Sequence, residues 1–236
     1  MGSRVNVGEV ISRTFQIYVD QASVLMPAAA AVFVVTGIVS ALLAATGSLG
    51  GILLALVINL VAGTLFTGMV VELVADVQDG RLDSSPGQLL RAAAPFIGQL
   101  ILVGIVAGVA IVIGLFLLIV PGLVLITIWS VFAPVIVLEN PSGLTALRRS
   151  RELVAGNGWQ VFGVLFVMFV LVVVLSSIVE AVAASAGTGV GLVVRVIVGI
   201  LTAPISALAI AVLYFQLRGG ADLQSGQQDP FPTSTL

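Results

Sequence analysis

The residues of this chain that could take part in chemistry are a few carboxylates and arginines set in long apolar stretches. Glu72 and Asp76 lie one helical turn apart, and Glu180 and Arg195 flank a short uncharged turn. Ionisable groups in membrane-length apolar segments are candidate functional residues because leaving a charge there costs free energy. Two interpretations stay open for each of them: a structural ion pair, or part of a substrate or proton pathway.

Three arginines follow the apolar stretch that ends at Glu139; they are Arg148, Arg149 and Arg151. We expect Glu139 to hold in place the helix that carries them. A guanidinium binds two phosphate oxygens at once, so these residues are candidates for contact with anionic lipid head groups. The alternative is that these arginines only determine the orientation of the protein in the membrane.

The composition removes most catalytic chemistry. The 236 residues include no Cys and no His, which excludes thiol nucleophiles and the commonest general base and metal ligand. The net charge of −2 and the lack of a basic stripe argue against nucleic acid as a partner. We therefore predict no catalytic residue, no cofactor, no metal site and no enzymatic activity.

The overall composition predicts a membrane protein. Hydrophobic residues make up 59% of the chain and charged residues 8%, with a mean hydropathy of +1.24. Soluble domains carry roughly 25% charged residues, so this chain cannot cover its surface in water. From the same composition we expect its partners to be membrane lipids and a membrane or cytoplasmic protein.

Six segments are apolar over about the 20 residues that a transmembrane helix needs. They are residues 22–46, 52–77, 96–119, 122–138, 159–184 and 191–215. Pro121-Gly122 is the predicted turn between the third and fourth spans, and a re-entrant break at Pro121 is the alternative. We predict an all-α integral membrane protein with a six-span domain over residues 21–217 and a disordered tail over residues 218–236.

Each pair of predicted spans follows a short amphipathic segment. Residues 5–20, 86–94 and 142–155 separate polar from apolar side chains when placed on a helix. Ser85-Pro86 is typical of a helix start, because the hydroxyl caps the helix and proline suits its first position. The sequence thus predicts three hairpins, each preceded by an interfacial helix on the cytoplasmic side.

Arginine placement predicts the orientation. In the six-span scheme, eight of the nine arginines lie on one side, and the loops over residues 46–51, 119–122 and 185–190 carry no charge. The positive-inside rule places both termini in the cytoplasm of a cell whose inner membrane holds the protein.

Small residues are spaced for close helix packing in three of the spans. We expect internal packing at these positions, with an oligomer interface as the alternative. They are Gly104 and Gly108, Ser177 and Ala181, and Ala203 and Ala207.

Residues 131–166 resemble the membrane domain found beside bacterial glycerophosphodiester phosphodiesterases and in its stand-alone relatives. The turn Ile119-Val120-Pro121-Gly122 and the opening segment are also similar. The matching residues are Pro134, Glu139, Ala146, Leu147, Arg148, Ser150, Leu153 and Trp159. The resemblance implies a membrane module without the phosphodiesterase chemistry, which belongs to a separate barrel domain that uses His and metal-binding carboxylates.

The expected function is that of a non-enzymatic membrane module that engages lipids or partner proteins through its amphipathic helices. A small transporter or channel, with Glu72, Asp76, Glu180 or Arg195 along its path, is the alternative. Such a transporter should show broken helices near the bilayer midplane.

Overall fold

The structure is a computed structural model that describes residues 5–78, 85–185 and 188–226. Within these ranges the chain forms ten α-helices and no β-strand. The helices are α1 (Val7–Asp20), α2 (Ala22–Ala45), α3 (Leu49–Gln78), α4 (Pro86–Ala93), α5 (Ile97–Leu117), α6 (Ile119–Ile128), α7 (Phe132–Glu139), α8 (Thr145–Val154), α9 (Gly158–Ser185) and α10 (Thr188–Gly226), with a 3-10 turn at Ala94–Phe96.

Six segments in the described residues are long and apolar enough to cross a membrane, which confirms the predicted number of spans. At 1.5 Å per residue each one matches or exceeds the length of helix that a bilayer requires. They are Ala22–Ala45, Leu49–Gln78, Gly87–Leu117, Ile119–Glu139, Gly158–Ala181 and Val196–Gly220.

The turn between the third and fourth spans is not at Pro121-Gly122 as predicted. It is made by Leu118, whose backbone is extended, with φ −157° and ψ 131°. Pro121 lies in the first turn of α6, where a helix tolerates the missing N–H, so the helix runs through it without a break.

Two glycines allow α5 and α6 to follow each other through so short a turn. A Cβ on Gly114 would lie 3.2 Å from the Cα of Gly122. A Cβ on Gly122 would lie 2.7 Å from the backbone nitrogen of Leu115 and closer still to its side chain. The two helices therefore meet backbone to backbone at this point.

The fourth span was predicted as one helix, but it is kinked at residues 129–131. The backbone N–H of Phe132 bonds the Trp129 carbonyl at 3.3 Å, which leaves the Ile128 carbonyl without its usual helical donor. A helical carbonyl released in this way must find another donor if it is buried.

The first part of the predicted tail, residues 218–226, is helical, because α10 continues to Gly226. Gly219 and Gly220 weaken a helix but do not end it, and the next proline is Pro230. The rest of the predicted tail, residues 227–236, lies outside the described residues.

Burial is concentrated at one end of the helix bundle. Most of the buried hydrophobic residues of α2, α5 and α9 lie in the first halves of these helices, and most of those of α3 and α10 lie in the second halves. They form one buried cluster with side chains of α1, α4 and α8, at the end of the bundle where these three helices and Arg218 lie. We call this the basic end. Examples of its core are Leu25, Val74, Leu100, Val161 and Leu213.

The opposite end leaves large apolar side chains exposed. Phe116 at the α5–α6 turn is 90% exposed, and Leu49 at the start of α3 is 72% exposed. Contiguous apolar surface of this kind is not stable in water and suits a lipid environment.

Candidate functional site

A polar network joins three helices at the basic end. The Arg149 Nε donates to the Glu139 carboxylate at 2.7 Å, and the Tyr214 hydroxyl donates to the same carboxylate at 2.9 Å. Arg218, one turn after Tyr214, donates to that hydroxyl at 3.4 Å. The hydrogen bond to Glu139 raises the pKa of Arg149 above its ordinary value. Glu139 thus contacts both α8 and α10 from the end of α7.

The loop between α7 and α8 is shaped by its own residues and held by α5. Asn140 ends α7 in the left-handed conformation, with φ 45°, which asparagine tolerates better than most residues. Gly143 follows with φ 51°. The Gln99 amide of α5 donates to the carbonyls of Pro141 and Gly143. These bonds fix where α8 begins.

One side of α8 is buried against the bundle. The fully buried Ser150 donates to the Ile128 carbonyl at 2.9 Å, and so supplies the donor that this carbonyl lost at the kink of the fourth span. The other buried residues of α8 are Ala146, Leu147, Leu153 and Val154. Helix α8 is therefore hydrogen-bonded to the fourth span as well as packed against the bundle.

The opposite side of α8 is exposed and basic. Arg148 and Arg151 are exposed, and Arg148 forms an exposed pair with Glu152 at 3.0 Å. Arg149 differs, because its pair with Glu139 leaves its side chain only 40% exposed. Of the three predicted head-group residues on α8, two face outward and one takes part in holding the helix.

The first helix is attached in a similar way. Val10, Thr14 and Ile17 are buried, and the Tyr18 hydroxyl donates at 3.0 Å to the Leu201 carbonyl, close to Pro204 in α10. Burial raises the pKa of Tyr18, so the hydroxyl keeps the proton that it donates. Apart from Thr14 and Tyr18, the polar residues of α1 are exposed; they are Glu9, Ser12, Arg13, Gln16 and Asp20.

The predicted ionisable residues within the spans lie on other helices than those that form this network. Glu72 and Asp76 are half-buried in the last turns of α3. Glu180 is exposed near the end of α9. The side chain of Arg195 lies outside the described residues, so the ion pair between Glu180 and Arg195 stays a prediction. Among the described residues, no group of three carboxylates could hold a metal ion.

The small residues differ in their surroundings. A Cβ on Gly104 would contact the Phe132 ring at 3.9 Å, whereas one on Gly108 would meet nothing within 4 Å. Ala207 is buried and Ala203 is half-buried. Ser177 and Ala181 are exposed, and the Ser177 hydroxyl bonds the Val173 carbonyl of its own helix.

A groove between α6 and the start of α9 was not foreseen from the sequence. Its volume is about 740 Å³, and Trp159 at its edge is 84% exposed. It is lined by Val120, Leu123, Val124, Thr127, Ile128, Gly156, Gly158, Trp159, Gln160 and Phe162. No sequence pattern could have indicated it, because its two walls are separated by α7 and α8.

Residues 89–217 match a protein family described as a domain of unknown function, DUF8558. The match begins within α4, ends within α10 and covers more than half of the chain, including the groove and the polar network except Arg218. The chain belongs to this family. The DUF8558 member described here is a polytopic membrane protein, since it has six apolar helices and a relative that is itself a membrane protein.

That relative is a UPF0259 membrane protein of Pectobacterium carotovorum subsp. carotovorum (strain PC1). It is 35% identical over 99 residues, which make up 42% of this chain and 39% of the relative. The matched part thus spans well under half of the relative's length. No solved structure matches the chain.

Proposed function

We propose that this protein is a non-enzymatic membrane module whose helix α8 binds the head groups of anionic phospholipids. The observation that carries the proposal is the two-sided attachment of α8. Ser150 and four apolar residues hold one side in the bundle, so Arg148 and Arg151 are presented on the other.

The distribution of charge supports a cytoplasmic position for this surface in the inner membrane. Among the described residues, six arginines lie at the basic end, and the short loops predicted at the far end carry no charge. These arginines are Arg13, Arg91, Arg148, Arg149, Arg151 and Arg218. Both the positive-inside rule and the negative potential of the cytoplasmic leaflet favour that orientation. The three helices that precede hairpins, α1, α4 and α8, would then lie along the cytoplasmic face.

The resemblance of residues 131–166 to membrane domains beside glycerophosphodiester phosphodiesterases also supports a non-catalytic role. In those proteins the chemistry is carried by a separate domain. A module of this type would contribute contact with the membrane or with a partner, and α8 lies within the similar stretch.

Each exposed arginine near an anionic surface contributes about 1 kcal/mol, or roughly a fivefold gain in affinity. The purified protein should therefore unfold at a higher temperature when phosphatidylglycerol is added to phosphatidylcholine micelles, because a ligand that binds only the folded state stabilises it. The double variant Arg148→Gln/Arg151→Gln should lose most of that shift.

Arg13→Gln/Arg91→Gln is the matched control, since both arginines are exposed on other helices of the basic end. An equal loss of the shift in both double variants would show that the protein responds only to total charge. A shift of the same size with phosphatidylcholine alone would contradict head-group recognition.

A small transporter is the second candidate, favoured by the kink at residues 129–131, since transporters place binding sites at discontinuous helices. It predicts a flux of protons or small ions into proteoliposomes that Glu72→Gln or Asp76→Asn abolishes. The absence of flux in vesicles that hold correctly folded protein would contradict it.

A further inference from the structure

The groove between α6 and α9 has walls that are apolar almost throughout. Thr127, one of its two polar side chains, donates its hydroxyl to the Leu123 carbonyl at 2.8 Å and so presents little polarity to the groove. Gln160 is the other polar side chain in the lining. Such a surface suits a hydrocarbon chain better than a polar solute.

The surroundings of the groove also indicate hydrocarbon. Its α6 wall belongs to the fourth candidate span and its aromatic wall to the fifth, so it opens into the bilayer. Trp159 packs edge-on against Phe162 at 6.1 Å, and Phe162 stacks on Phe166 at 6.0 Å. This row of rings extends from the start of α9, where a tryptophan is typical of the membrane interface.

One end of the groove adjoins the basic helix. Gly156, which lines it, follows α8 by two residues, and Ile128, on the other wall, accepts the hydrogen bond from Ser150 of α8. Because this end of the groove lies two residues after the end of α8, an acyl chain of a lipid bound at that helix has the groove within its reach. The exposed side of α8 carries Arg148 and Arg151 against one carboxylate, Glu152, and this net positive charge favours an anionic head group.

We propose that the groove holds one acyl chain of the anionic phospholipid bound by α8, a proposal that rests on the function given above. The hydrophobic effect does not drive the chain into the groove, because the alternative medium is also hydrocarbon. The bound head group keeps the chain close, and dispersion contacts with the rings hold it there.

Quenching of Trp159 fluorescence tests this directly. The chain has two tryptophans, so Trp129→Phe leaves Trp159 as the only fluorophore. In phosphatidylcholine nanodiscs, phosphatidylglycerol with acyl chains brominated near the head group should reach half-quenching at roughly a fivefold lower mole fraction than equally brominated phosphatidylcholine.

A groove-filling variant separates a bound chain from lipid that is merely enriched near the arginines. Val124→Phe in this background should remove the preference for phosphatidylglycerol, because the added ring occupies the groove. Val173→Phe, an exposed position of α9 outside the groove, should leave it unchanged.

The results distinguish this inference from the proposed function. If Val124→Phe leaves the quenching preference intact, the groove inference is overturned. If, in addition, the stabilisation by phosphatidylglycerol still depends on Arg148 and Arg151, head-group binding stands alone. Equal quenching by both lipids, with no arginine-dependent stabilisation, would remove both proposals.

Discussion

Among the arginines of α8, Arg149 has a different role from its neighbours because of one carboxylate. It pairs with Glu139 at 2.7 Å, and Tyr214 donates to the same carboxylate. Arg148 instead pairs with Glu152 one turn along the same helix, in full contact with solvent. We expect the first pair to stabilise the fold and the second to contribute little.

A double-mutant cycle on thermal unfolding in detergent measures this difference. Glu139→Gln and Arg149→Gln should show a coupling free energy of about 1 kcal/mol, a value that allows for the partial exposure of both groups. The exposed pair, tested with Arg148→Gln and Glu152→Gln, should show about 0.3–0.5 kcal/mol. Equal coupling in the two cycles would show that Glu139 does not hold α8.

The special position of Glu139 could be predicted from the sequence only in part. Its place after an apolar span and before an arginine-rich helix suggested that it holds that helix. The sequence did not indicate Tyr214 as a partner, because the contact joins residues 75 positions apart. It also could not rank the three arginines, since their exposure depends on how α8 turns against α7.

At the scale of helices, side-chain hydrogen bonds to backbone carbonyls of the spans explain how the flanking helices are attached. Ser150 of α8 bonds the Ile128 carbonyl, and Tyr18 of α1 bonds the Leu201 carbonyl. The Ile128 carbonyl has lost its helical donor, and a buried carbonyl without a donor costs about 1–3 kcal/mol, so the bond from Ser150 stabilises α8 in place. Apolar periodicity predicts such helices, but not the donors, because these contacts depend on tertiary packing.

The third and fourth spans contain one glycine in a close helix contact, Gly122, and one with open space around it, Gly108, and alanine substitutions should affect them in opposite ways. Gly122→Ala should lower stability by about 1–3 kcal/mol, because its Cβ would overlap Leu115. Gly108→Ala should raise stability by about 0.5–1 kcal/mol, since its Cβ meets nothing within 4 Å and alanine favours a helix.

Thermal unfolding of both variants, with the oligomeric state measured in parallel, checks this expectation. A loss of stability in Gly108→Ala together with a change of oligomeric state would show that the Gly104–Gly108 pair packs against a second copy. A neutral Gly122→Ala would mean that α5 and α6 do not approach as closely as the structure shows.

Considered as a whole, the molecule has a packed basic end and an apolar far end. Length and hydropathy were sufficient to predict the six spans, because a bilayer sets both quantities. They could not predict the groove, whose walls come from α6 and α9 and depend on how the spans pack.

The chain contains no cysteine, so labelling of single introduced cysteines can report the orientation of the bundle without background. Ser48→Cys, between α2 and α3, should react with an impermeant maleimide in intact cells. Ser142→Cys, in the loop before α8, should react only after the cells are opened. Both side chains are exposed, so a difference in labelling reports the side of the membrane. Labelling of Ser142→Cys from outside would reverse the proposed orientation.

Native mass spectrometry of the protein released from nanodiscs tests the central claim, that α8 binds anionic phospholipid, most directly. With equal amounts of phosphatidylglycerol and phosphatidylcholine, the wild type should retain phosphatidylglycerol in preference, by roughly fivefold or more. Arg148→Gln/Arg151→Gln should lose this preference, and Arg13→Gln/Arg91→Gln should keep it. Equal retention of the two lipids by the wild type, or an unchanged preference in the α8 variant, would contradict the claim.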